Sequence, residues 1–280
     1  MTSTNQCSRR TPAGVTLIAL LPIAIALISC GAPAPHAERL NGNWQITGDP
    51  TASADPAISV VLYGTGGQIS GTAVAVVQCA NEPTTRRMVN LQLNGQVNQD
   101  GTYTVASATD GYGDVLNLNG PMPHSGQQSW RGSYSLYAPL SDPTTALTCL
   151  LKPTASFQAV AITPLSGTYS GAITGNNLSP DATLAIQITQ ATTLAGMAGY
   201  GATASLSVTG SSCFKAGSQV LADGTAISGD SITLHFKMDD GSQVDFYGLT
   251  NSGAGKIAGT LAVNGGKCLY DVDTVTLQRQ

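Results

Sequence analysis

The sequence predicts an all-β protein: two tandem homologous antiparallel up-and-down barrels, or barrel-like sandwiches, of about eight strands each. Three observations predict it. Neither half carries a sustained helical periodicity. Short alternating or β-rich runs are cut by Asn-Gly and Asp-Gly pairs, which tolerate the backbone of tight hairpins. The second half also repeats the landmarks of the first in the same order.

Taking the runs in chain order, the first half offers Ile58 to Tyr63, Ile69 to Val77, Val89 to Val97 and Tyr103 to Ala108. The second offers Thr183 to Ile188, Ala202 to Val208, Ser231 to Lys237, Val244 to Tyr247 and Lys256 to Val263. The separators are Asn94-Gly95, Asp100-Gly101, Asp110-Gly111, Asp223-Gly224, Asp240-Gly241 and Asn264-Gly265. A meander of this kind must close or pair to cover its outer strands.

The duplication starts at Leu165-Ser166-Gly167-Thr168-Tyr169, which echoes Leu40-Asn41-Gly42-Asn43-Trp44. Gly71 and Cys79 match Gly201 and Cys213, and Thr102-Tyr103-Thr104-Val105 matches Ser231-Ile232-Thr233-Leu234. Trp130-Arg131-Gly132 matches Ile257-Ala258-Gly259, and Cys149-Leu150 matches Cys268-Leu269. Gly95 and Gly132 lie 37 positions apart, Gly224 and Gly259 lie 35 apart. Spacing conserved over several landmarks argues for a copied unit and not for general glycine richness.

The N-terminus is built differently. Residues Met1 to Gly14 are polar and carry Arg9 and Arg10, and Val15 to Ile28 is an almost unbroken apolar run. That run is short for a membrane span of roughly 20 residues, and the order matches an export signal. Leu27-Ile28-Ser29-Cys30 resembles the lipobox of bacterial lipoproteins. The resemblance implies cleavage before Cys30, diacylglycerol on its thiol and an acylated new N-terminus. It also implies a place in the cell envelope, held to membrane by lipid. Gly31 is not the aspartate that retains some of these proteins at the inner membrane, so an outer membrane is implied where one exists. The expected divisions are a signal peptide at 1–29, lipidated Cys30 with a tether at 30–38, and barrel domains at 39–163 and 164–280. Two or more acyl chains hold firmly where one is marginal, and the Pro-Ala alternation of the tether favours extended backbone.

From Cys30 onward there are ten Lys and Arg against sixteen Asp and Glu, a net of −6. That balance argues against a nucleic-acid partner, which needs basic patches. Of six cysteines, Cys7 goes with the signal and Cys30 with the lipid. Cys79, Cys149, Cys213 and Cys268 remain as an even set suited to two disulfides, with three pairings open. The repeat makes Cys79–Cys149 and Cys213–Cys268 the simplest, closing loops of 70 and 55 residues and stabilising by about 3–5 kcal/mol each.

A second resemblance lies in Gly42-Asn43-Trp44 near the start of a strand meander, which looks like the Gly-x-Trp opening of lipocalins and the similar opening of avidin-type barrels. There the tryptophan closes one barrel end. The likeness covers that tripeptide and the strand rhythm and transfers no ligand.

Chemistry-bearing motifs are few. His36 falls in the tether, His124 in a Pro-rich loop, and His235 within a strand beside Phe236. His235 is expected to be solvated or bonded in the sheet. No Gly-x-Ser-x-Gly elbow, phosphate loop or His-Glu-x-x-His helix occurs. Asp239-Asp240 sits where a hairpin tip is expected, and Asp271 and Asp273 alternate on a strand. Asp110 to Asp114 lacks the ligand ladder of a dedicated calcium loop. Arg86-Arg87, read as a loop after Cys79, is the basic doublet of the exported part. Trp44 and Trp130 occupy strand positions matched by Tyr169 and Ile257, which points to core packing. The expectation is therefore a non-enzymatic, membrane-anchored binding or structural module with no catalytic residues, metal or cofactor. A lipocalin-like carrier of a small hydrophobic ligand, or a hydrolase, stands as the alternative.

Overall fold

Alternation decides which face of each strand points inward. The computed structural model describes residues 36–48, 57–79, 82–109, 113–138, 152–174, 182–196, 199–210, 218–220, 224–238, 241–265 and 270–280. In β1 (Gly42–Thr47), β2 (Ala57–Thr65), β3 (Gln68–Cys79) and β4 (Glu82–Val97), apolar side chains on alternate residues enter one core. β5 (Thr102–Ser107), β6 (Val115–Pro121), β7 (Ser129–Tyr137) and β8 (Lys152–Ala161) continue the pattern. Each strand pairs antiparallel with the next, and β8 returns to β1 with Trp44 opposite Ala161. The result is a closed eight-stranded up-and-down barrel.

The second half repeats it with one change. The strands are β9 (Ser166–Thr174), β10 (Thr183–Leu194), β11 (Tyr200–Thr209), β12 (Ser218–Val220), β13 (Ala226–Ser228), β14 (Ser231–Met238), β15 (Gln243–Thr250), β16 (Lys256–Asn264) and β17 (Tyr270–Arg279). β12 pairs with residues 236–238 of β14 and β13 with 231–233, while β15 occupies the other flank. β12 and β13 are thus one broken fourth strand, and the ring closes where Val275 faces Ile173. The two tandem eight-stranded barrels expected from the repeat are present.

Equivalent landmarks play equivalent parts. Gly42 and Gly167 open their barrels with φ of 149° and 128°, a region open to glycine. Two residues later Trp44 and Tyr169 turn inward, 4% and 0% exposed. Trp44 Nε1 donates to the Leu40 carbonyl at 2.8 Å, and the Tyr169 hydroxyl donates to that of Ala254 at 2.9 Å.

Three expectations need correction. Asn94-Gly95 is not a turn. It lies inside β4, Asn94 opposite Ser70 on one side and Ala106 on the other. A Cβ on Gly95 would sit 2.2 Å from the Thr104 carbonyl oxygen, so glycine is there because the neighbouring backbone comes too close. Arg86 and Arg87 are likewise strand residues of β4, opposite Gln78 and Val77. The tether, expected to reach residue 38, ends sooner. Residues Ala37–Leu40 form a 3-10 helix whose Ala37 and Leu40 are fully buried in the first core.

The Cys30 lipidation site, Cys149, Cys213 and Cys268 lie outside the described residues, as do Asp110, Asp239 and Asp240. Cys79 is described only as the last residue of β3. In chain order, Cys149 falls between β7 and β8, Cys213 between β11 and β12, and Cys268 between β16 and β17.

Candidate functional site

The described residues belong to one compact unit spanning 33–280, and polar side chains join the two barrels. Asn43, Val61 and Thr72 lie in one row across the outer face of β1, β2 and β3. Ser59 lies further along β2. The tip of the β13–β14 hairpin sits on this patch. Thr72 Oγ1 and Ser228 Oγ are 2.9 Å apart, Gly229 N–H donates to Asn43 Oδ1 at 3.0 Å, and Ser59 Oγ donates to Asp230 Oδ1 at 2.5 Å. Val61, on the outer face of its barrel, is 1% exposed, and Ser59 is 2% exposed.

Burial pushes the Asp230 carboxyl above its ordinary value of 3.8, and the Ser59 hydrogen bond only partly opposes this. The folded protein therefore holds the Asp230 proton more tightly than the unfolded chain. Stability from this residue is fully present below the ordinary value and declines as pH rises through the elevated one. Asp230→Asn keeps an oxygen for Ser59 and removes the charge. The difference in melting temperature, variant minus parent, is expected to grow from pH 4 toward neutrality. A difference that is flat with pH, or slopes the other way, would refute the assignment.

Beside this junction lies a groove of about 610 Å³. Arg39 and Asn41 border it from the first barrel's entry, Ser125 and Gln128 from the β6–β7 loop, and Tyr200 from the second barrel. Trp44, Ile162 and Pro164 supply its apolar side. Asn43 touches both features, lining the groove while it holds Gly229. Burial pushes the Tyr200 phenol up. The exposed Glu38 carboxyl, also at the rim, is held below the carboxylate range by its own backbone N–H and that of Gly66.

No protein-family model and no curated protein matches the chain. Its chemistry must be read from its own side chains.

The residues weighed as catalytic are not drawn together. His235 is on the outer wall of the second barrel, opposite Asp245. Its Nδ1 lies 2.6 Å from Asp245 Oδ1. Asp245, 7% exposed, also accepts from Gln243 Nε2 at 2.8 Å and Asn264 Nδ2 at 3.1 Å. Nε2 of His235 faces Gly224, where an added Cβ would lie 2.9 Å away. The His235 backbone N–H donates to Thr225 Oγ1 at 3.4 Å. His124 is exposed in the β6–β7 loop, where its backbone N–H is held by Gln127 Oε1, and His36 is exposed at the groove rim. Asp273 is opposite Leu261 on β17; the side chains of Asp271 and Asp273 lie outside the described residues.

Sequence reading missed the groove. Tyr200 is more than 150 positions from Asn41, and the amide and hydroxyl residues between follow no motif. The signal that existed was the cluster Ser125-Gly126-Gln127-Gln128, a polar loop directly before the buried Trp130.

Proposed function

We propose that the chain is an envelope lipoprotein, anchored by lipid on Cys30, whose two barrels form a non-enzymatic binding module. The observation that carries the reading is the order of parts: an export signal, a lipobox, then a folded body that begins six residues after Cys30. Six residues reach at most about 20 Å, so the body stays close to the bilayer that holds the acyl chains. The four later cysteines, as Cys79–Cys149 and Cys213–Cys268, would give each barrel one disulfide of its own.

Two features support binding over catalysis. His235 Nδ1 is engaged by Asp245, which also accepts from Gln243 and Asn264, and the groove gathers polar groups from both barrels. The packing of the first barrel weighs against a hydrophobic carrier. Its interior is occupied by Trp44, Tyr103, Trp130 and Phe157, whose rings meet edge to face.

In bacterial cells, the full chain is expected in the membrane fraction, with an intact mass of residues 30–280 plus diacylglycerol and one acyl chain. Cys30→Ser is expected to abolish both. Purified protein with an unmodified Cys30 and the leader still attached would defeat the proposal.

A further inference from the structure

The groove sets a narrow requirement on what occupies it. Its lining carries hydrogen-bonding groups for which the described residues offer no partner. Asn41 spends its Oδ1 on the Gly64 N–H, which leaves its amide N–H groups available. Among the described residues, the Arg39 guanidinium and the side chains of Ser125, Gln128 and Tyr200 have no hydrogen-bond partner. The exposed Pro164 and the buried Ile162 and Trp44 also line it. The charges nearly cancel, Arg39 against Glu38 with His36 beside them, so the site is not built for a strong anion. It is open on one side, so it does not enclose an apolar molecule. Its volume falls within the roughly 300–1,000 Å³ of small-molecule sites.

A pyranose has these complementary features: a C–H face for apolar and aromatic surface, and a rim of hydroxyls that both donate and accept. Amides and hydroxyls satisfy such a rim without requiring charge. We propose that the groove between the barrels binds a short oligosaccharide, with Tyr200 and the exposed Pro164 contacting sugar faces and Arg39, Asn41, Ser125 and Gln128 holding hydroxyls. The inference rests on the reading of the chain as a binding module and names its ligand class. It also gives the junction a purpose. A site with walls on two barrels keeps its shape only if the barrels are held in register, and Asn43 couples the groove to the hairpin that holds them.

The test is calorimetric titration of detergent-purified full-length lipoprotein with triacetylchitotriose, maltotriose and mannotriose, and with phosphatidylglycerol vesicles. At least one trisaccharide is expected to bind with a Kd below about 1 mM. Arg39→Ala and Gln128→Ala, both at exposed positions, are each expected to weaken it about tenfold, as for one lost hydrogen bond. Tyr200→Phe, which keeps the ring, should weaken it less than Tyr200→Ala. No binding of any trisaccharide at ~10 mM overturns the proposal, as does binding unchanged by both exposed substitutions. Capture of the vesicles alone, lost with Arg39→Ala, would show an anionic lipid site and overturn it too. Anchoring is read separately, by the mass of the same preparation, so a failed titration on correctly lipidated protein counts against the ligand and not against the anchor.

Discussion

Trp130→Ala is expected to cost the first barrel about 4 kcal/mol, the upper range for removing a large buried aromatic. Trp130 is 4% exposed and stands among three rings, with centroids 5.7 Å from Trp44, 5.4 Å from Tyr103 and 5.2 Å from Phe157, all near edge to face. Alanine would remove both the buried area and these pair contacts, and a strand-closed wall cannot collapse freely into the space. Trp130→Phe separates ring from N–H. The Nε1 atom is buried without a hydrogen-bond partner among the described residues, so phenylalanine discards a donor whose desolvation is not repaid and keeps part of the stacking. Its loss should be well under half that of alanine. Urea denaturation followed by far-ultraviolet dichroism measures both. Equal losses, or an alanine loss under about 1 kcal/mol, would mean the aromatic cluster does not hold the barrel.

Gly171→Ala is the second large effect, expected at about 3 kcal/mol, the upper range for forced overpacking. Gly171 lies on β9 where that strand meets β17 to close the second barrel. An added Cβ would lie 1.9 Å from the Thr276 carbonyl oxygen and 2.9 Å from its carbon. These are backbone atoms that no rotamer change can move, so the two strands must part. Gly201→Ala is the matched control. It is also a strand glycine, but an added Cβ there meets nothing within 4 Å, and the change should stay within about 0.5 kcal/mol. If the two substitutions behave alike in thermal melts, the close approach of β9 and β17 is wrong.

The fold was legible because barrels advertise themselves locally. Period-two patterning in runs such as Ile232 to Met238 and glycine at true turns such as Gly101, Gly241 and Gly265, all with φ near 80°, need no knowledge of distant chain. Where reading failed, the cause was a residue type serving two physical roles. Gly95 looks like a turn glycine in sequence, yet it is a glycine of close approach, and only the position of Thr104 distinguishes them. Arg86 and Arg87 look like loop residues until β4 is seen to run 16 residues. The junction and groove were illegible for another reason. Ser59 and Asp230 are 171 positions apart, and Asn43, Thr72 and Ser228 are small polar residues that look the same on any solvated strand. Pairing between two folded bodies leaves no period in either.

Between β11 and β13 the described wall of the second barrel has a single rung, Tyr200 opposite Ile227, whereas β10 and β11 share nine. Where a described pairing is this short, the amides beside it are expected to exchange with solvent through local opening and not through global unfolding. Tyr200 is also a wall of the groove, so a molecule resting against it would act as a clasp on this joint. Occupancy at the surface would then be felt inside the wall, as slower exchange at Ile227 and its neighbours, with no change of shape.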